Sequence, residues 1–162
     1  MRPTFPALLA ALALVCAAAF AAAQDKPVDH SQDAAWMNAQ MAALAGRQAK
    51  DGWGWLPGGV LWRRVAGDGT GRHPTIDDTV KVHYAGALVD GTEFDSSYGG
   101  DPVSFPLRGL IRAWQLAIPQ AGVGDTIEIA VPSSLGYGPK GAGPIPGGAT
   151  LLFKIELIGI ES

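Results

Sequence analysis

Two apolar periodicities divide this chain. Ahead of residue 51 the apolar positions Trp36, Met37, Met41, Leu44 and Ala45 recur at helical spacing. Residues three and four apart share one face of a helix, so the spacing predicts a helix over 33–50. Asp33 stands where an N-cap carboxylate accepts free amides, and Asp51-Gly52 stops the run. Past residue 52 the period drops to two. Val80, Val82 and Tyr84 alternate with Lys81 and His83. Val103, Phe105 and Leu107 alternate in the same way, as do Ile127, Ile129 and Val131, and then Leu151, Phe153, Ile155 and Leu157. Strand side chains point to opposite faces in turn, so each run is a strand with one apolar face, and 60–65 is a further candidate. Turns fall at Pro57-Gly58-Gly59, over 67–74 and at Asp90-Gly91, the last a hairpin signal. The stretch 110–120, with Pro119 near its end, is the one short helical pattern in this half.

These elements imply an α+β fold. About five strands form an antiparallel sheet, and its apolar face needs a cover. The 110–120 helix is the only element of the domain available for that, so the sheet is expected to wrap around it. The 33–50 helix lies outside this domain. A helix of that length is marginal alone in water, so it must pack on the domain or on another copy of the chain, or else stay unstable.

The N-terminal pattern is of another kind. Arg2 precedes an apolar run over 7–15, and Ala21-Ala22-Ala23 follows it. This reads as a signal peptide over 1–23 with Gln24 as the mature start. A membrane anchor is the competing reading, and lipidation at Cys16 a third, although Val15 stands where a small residue is usual. A polar, flexible segment over 24–32 and the helix over 33–50 then lead into a domain over 51–162.

Composition narrows the chemistry. The chain is 48% hydrophobic and 17% charged, which suits a globular protein, and its net charge of −3 argues against a nucleic-acid partner. Cys16 is the single cysteine; losing it with the leader removes disulfides, thiolate nucleophiles and sulfur metal ligands. His30 falls in the tail, while His73 in a turn and His83 on a polar strand face both read as solvated, and no triad or metal-ligand spacing results. Gly136-Tyr137-Gly138-Pro139-Lys140-Gly141 has the G-x-G-x-x-G spacing. A dinucleotide site needs that loop to open a helix, and Pro139, Pro144 and Pro146 prevent one. Asp77-Asp78 and Glu93 with Asp95 read more simply as turn residues than as an acid–base dyad.

The aromatic residues are more informative. Tyr84 and Phe94 flank the hairpin, Phe105 lies on the next strand, Trp114 in the short helix, Tyr137 in the long loop and Phe153 on the last strand. Phe105 and Phe153 suit an ordinary core. Buried phenols and indoles want hydrogen-bond partners, so Tyr84, Trp114 and Tyr137 together suggest an apolar cleft with polar edges.

In chain order, Val82-His83-Tyr84-Ala85-Gly86, Asp90 to Ser97, Phe105-Pro106-Leu107, Leu110-Ile111-Arg112-Ala113-Trp114, Val123-Gly124-Asp125, Val131-Pro132-Ser133, Tyr137-Gly138 and Ala149 to Phe153 resemble the FKBP-type peptidyl-prolyl cis-trans isomerases. The likeness covers roughly residues 56–161. The preceding helix resembles the secreted bacterial branch, which includes macrophage infectivity potentiator-like proteins. The resemblance implies rotation about X–Pro bonds in exported proteins, with no metal and no cofactor, in a periplasmic chain. Its partners would be proline-containing polypeptides and macrolide inhibitors, and the chain would be a monomer or a weak dimer through its helix. It also implies Trp114 as the floor of a proline pocket, Tyr84, Phe94, Phe105 and Phe153 as walls, and Leu110 and Ile111 at one side. The Ile111 amide and the Tyr137 hydroxyl would donate to substrate carbonyls. Asp95 would orient Tyr84 or act near the twisted amide, and Ile145 would be a loop contact above. Ala113 replaces the usual glycine, Val103 stands at a position often aromatic, and the 144–148 loop is altered.

Overall fold

In the computed structural model, residues 26–161 are described; the expected signal peptide and Cys16 lie outside them. Seven strands form one antiparallel sheet: β1 (Gly54–Leu56), β2 (Val60–Ala66), β3 (Thr79–Leu88), β4 (Glu93–Ser96), β5 (Val103–Pro106), β6 (Thr126–Val131) and β7 (Leu151–Glu161). Their order is β1-β2-β6-β7-β3-β4, with β5 also paired to β3. β4 and β5 thus share the outer edge of β3, opposite Ala85–Ala87 and Thr79–Val82 respectively. The count exceeds the sequence expectation by two short elements, β1 of three residues and β4 of four, neither of which carries apolar residues at alternate positions.

Alternation holds where one face is sealed. Val80, Val82 and Tyr84 are fully buried, as are Ile127, Ile129 and Val131. Asp90-Gly91 makes the β3–β4 hairpin, with Gly91 at φ 89° and the Leu88 amide donating to the Thr92 carbonyl at 2.9 Å. Register shifts at Lys81/Val82 against β7 and at Gly86/Ala87 against β4 bend β3, because an unpaired residue increases local twist. The curved sheet encloses one helix, α2 below, which begins at Arg112 and ends at Ala117. Pro119 follows in a 3-10 turn over Ile118–Gln120, where its missing N–H ends the α-helical ladder.

The N-terminal helix, α1 (Ala34–Ala45), ends at Gly46, short of the expected residue 50; a separate 3-10 turn over Ala49–Asp51 follows. Asp33 caps it, accepting from the Trp36 amide at 2.9 Å. The second helix, α2 (Arg112–Ala117), lies on the inner face of the sheet, whereas α1 packs on the outer face. There Leu44 joins a cluster of Trp53, Leu61, Ala130 and Leu152. Trp36, Gln40 and Leu44 face the sheet, while Met37 and Met41 are 41% and 61% exposed. No helix of the described residues is long and apolar enough to cross a membrane.

Candidate active site

α2 carries its one aromatic residue, Trp114, into the middle of the concave face, where it is fully buried. Inward positions on the strands bring the other rings to it. Tyr84 from β3 and Phe153 from β7 each lie 5.3 Å from the Trp114 ring, at 80° and 87°, and Phe105 from β5 lies at 6.3 Å and 80°. Phe94 from β4 meets Phe153 at 5.6 Å and 89°. Edge-to-face packing sets the positive rim of one ring against the negative face of another, so four strands and a helix are locked around one indole. Gly86 permits this closure. A Cβ there would stand 2.7 Å from both Phe94 Cζ and Phe153 Cε1.

Burial grades outward. Tyr84, Trp114, Phe153, Phe105 and Leu110 are buried, and Phe94, Asp95, Val103, Ile111 and Tyr137 are half-buried around them. Ile145 is buried in the same core cluster, its amide and carbonyl both bonded to Ala142 at 2.9 and 3.0 Å. All ten residues singled out from the sequence therefore belong to this cluster or its polar edge. Two open cavities, of about 450 and 180 Å³, lie along α1 and not over the rings.

The polar edge is sparse. The Tyr84 hydroxyl donates to Asp95 Oδ2 at 2.7 Å. Burial and the Asp95 carboxylate both hold the Tyr84 phenol far above its ordinary pKa. Burial and the same negative charge raise Tyr137. Both phenols are therefore protonated donors at neutral pH. Burial also raises Asp95, with the Tyr84 bond working against that shift. Among the described residues, Trp114 Nε1 and the Tyr137 hydroxyl are buried without a hydrogen-bond partner, as is Arg47 Nε beside Trp53, away from the rings. The Ile111 amide also has none, although the Ile111 carbonyl accepts from Trp114 N at 3.0 Å. Buried donors are normally satisfied, so the unpaired Tyr137 hydroxyl and the Ile111 amide, both on half-buried residues at the rim, are suited to carbonyl acceptors, while Trp114 Nε1 lies at the fully buried centre.

Several supporting residues escaped the sequence reading. Gln115 Nε2 donates to the carbonyls of Leu110 at 2.8 Å and Arg108 at 3.0 Å, fixing the approach to Ile111. Buried Ser97 accepts from the Tyr84 amide at 2.8 Å. Neither lies on an apolar period, and both act across turns, so no spacing signal points to them. His83, expected to be solvated, is half-buried, pairs with Ser97 Oγ at 3.0 Å and stacks on Tyr98. His73 is exposed, as its turn position implied.

The curved antiparallel sheet around a short helix, with an aromatic cluster on its concave face, defines an α+β class that comparison with known proteins makes specific. The sequence profile of the FKBP-type peptidyl-prolyl cis-trans isomerases matches residues 70–158, more than half of the chain, and the chain belongs to that family. It is 48% identical over 94 residues to the isomerase FkpA of Aeromonas hydrophila, covering 57% of this chain and 35% of that protein. It is 41% identical over 122 residues to the isomerase Mip of Coxiella burnetii, covering 74% of this chain and 53% of that one. A crystal structure of a peptidyl-prolyl cis-trans isomerase from Pseudomonas syringae superposes with a TM-score of 0.72 at 35% identity, covering 79% of this chain and 95% of that chain. The chain thus spans only about a third to a half of the length of these two curated relatives. α1, β1 and β2 precede the region matched by the profile.

Proposed function

We propose that this chain is a peptidyl-prolyl cis-trans isomerase acting on exported, proline-containing polypeptides in the periplasm, and that its site binds macrolide inhibitors. The observation that carries the reading is the Trp114-centred ring cluster edged by unpaired donors.

The chemistry follows from the amide bond. Nitrogen lone-pair delocalisation gives C–N partial double-bond character and a barrier of about 18–20 kcal/mol. Uncatalysed X–Pro isomerisation takes ~10–100 s. The planar amide places negative charge on its oxygen, and water stabilises that charge; the twisted amide is less charge-separated. An apolar surface that strips water from the amide thus favours the twisted form. Trp114 is the floor beneath the proline ring, with Tyr84, Phe94, Phe105 and Phe153 as walls and Leu110 and Ile145 closing the sides. The Ile111 amide and the Tyr137 hydroxyl hold substrate carbonyls on either side of the rotating bond. Asp95 fixes the Tyr84 ring through the 2.7 Å hydrogen bond and adds a negative charge near the rotating amide. No proton is transferred and no covalent bond is made. A thousandfold acceleration requires about 4 kcal/mol of differential stabilisation, within reach of desolvation and a few fixed donors.

The test is a peptide isomerisation assay on the purified chain, repeated with a macrolide competitor and with Trp114→Phe. Relaxation faster than buffer, slowed by both changes, supports the reading. Relaxation at the buffer rate leaves a non-catalytic binding module.

A further inference from the structure

The loop between β6 and β7 carries Tyr137 and Ile145 on the site side, and its far end meets α1. The loop is closed on itself. The Gly148 amide donates to the Gly138 carbonyl at 2.9 Å, and Ala142 and Ile145 exchange backbone bonds. A Cβ at Gly147 would stand 2.1 Å from the Pro139 carbonyl oxygen. A loop braced this tightly moves as one piece, so its position depends on where its exit is pinned.

That exit is pinned by α1. Gln40 Oε1 accepts from the Thr150 amide at 2.8 Å, and Thr150 Oγ1 donates to the Gln40 carbonyl at 3.3 Å. Gln40 is 6% exposed and Thr150 2%, so the pair is desolvated. Thr150 stands one residue ahead of β7, before the strand ladder supplies a partner, and an apolar residue at 40 would orphan its amide. Trp36, one turn earlier, packs over Gly148, where a Cβ would lie 3.6 Å from the indole. His30 stacks on Trp36 at 4.6 Å and 7°. A buried amide in a helix that otherwise presents Trp36 and Leu44 to the sheet is costly unless its bonds are made; Gln40 Nε2 donates to the Trp36 carbonyl within α1 at 3.4 Å, and Oε1 is committed to the segment leaving the loop.

We propose that α1 is a brace for the active-site loop, with Gln40 and Trp36 as positioning residues that hold Ile145 and Tyr137 against the ring cluster. The proposal rests on the isomerase reading for its catalytic consequence, but not for its mechanical one. The experiment compares the full chain with Gln40→Ala, Trp36→Leu and the solvent-side control Met41→Ala. Amide hydrogen exchange is followed at Ala142, Ile145 and Gly148, and kcat and KM are measured on peptides differing in the residue before proline. Gln40→Ala is expected to speed exchange at these three amides about fivefold, the worth of one net hydrogen bond. The amides of β3 should stay as protected as before. KM should rise by a similar factor with kcat less affected, and Trp36→Leu should act in the same direction while Met41→Ala does nothing. Unchanged loop exchange in both variants would overturn the brace. So would exchange that rises equally throughout the sheet, since that reports global stability. If the unaltered chain shows no isomerase activity while loop exchange responds as described, the brace stands and the isomerase reading falls.

Discussion

The Tyr84–Asp95 pair should be energetically coupled, and by a measurable amount. Tyr84→Phe keeps the buried ring and its edge contacts with Trp114 and Phe105 but removes the hydroxyl that donates to Asp95 Oδ2 at 2.7 Å. Hydrogen bonds to charged groups contribute about 1.5–3 kcal/mol. Asp95 is half-buried, so solvent screening places this one near the lower end, at about 1.5 kcal/mol. Urea unfolding of the unaltered chain, Tyr84→Phe, Asp95→Ala and the double variant isolates the term as a double-mutant cycle. The denaturant slope should stay constant, since none of these changes alters the surface exposed on unfolding by much. The Asp95 carboxyl should titrate at still higher pH in Tyr84→Phe, because the bond opposing its burial is gone. A coupling below about 0.3 kcal/mol, the level at which independent sites add, would refute the claim that this bond fixes the site.

Other consequences follow from nearby geometry. Gly86→Ala places a methyl 2.7 Å from Phe94 and Phe153; overpacking of this kind costs about 1–3 kcal/mol, and thermal unfolding together with peptide turnover should both decline. Asp125 is buried, which raises its pKa, but the amides of Gly122 and Gly69 and the Arg64 guanidinium outweigh burial and leave it below the ordinary value. Its contribution to stability is present above the unfolded pKa of about 3.9 and is lost as pH falls through the native value, so Asp125→Asn should flatten the acid limb of a stability–pH profile. His73 Nδ1 and Nε2 each lie 3.0 Å from a carbonyl, of Pro119 and Gly69. Two acceptors suit an imidazolium, and these backbone bonds raise the His73 pKa. That contribution is full below about pH 6.5 and is lost as pH rises through the native value; His73→Gln should remove the dependence, as read by thermal melts across pH 5–8.

Strands and rings were legible from the sequence because a sheet sealed on one face must alternate. Tyr84, Phe105 and Phe153 occupy inward positions of their runs, and Trp114 sits in the only helix available to cover them. The packing of α1 was less legible. A search for apolar spacing selects Met37, Met41 and Ala45, yet these face outward, and the buried contact uses Gln40 between Trp36 and Leu44. A polar residue that is buried because it satisfies a distant amide leaves no trace in hydrophobic periodicity. The same holds for Ser97, Gln115 and Gly86, whose importance lies in what they touch across the sheet. β1 and β4 went uncounted because neither carries apolar residues at alternate positions, as the equally short β5 does with Val103 and Phe105, and neighbours in space supply their register.

Trp114 is the residue on which proline binding and catalysis depend most directly. With the chain isotopically labelled, magnetisation exchange between the cis and trans forms of a proline-containing peptide can be followed in the same sample as the Trp114 Nε1–H resonance. Exchange is expected well above the spontaneous rate of about one event per 10–100 s, accompanied by a saturable shift of that indole signal. Peptide exchange at the spontaneous rate, or catalysed exchange with the indole resonance unmoved, would contradict this role of Trp114.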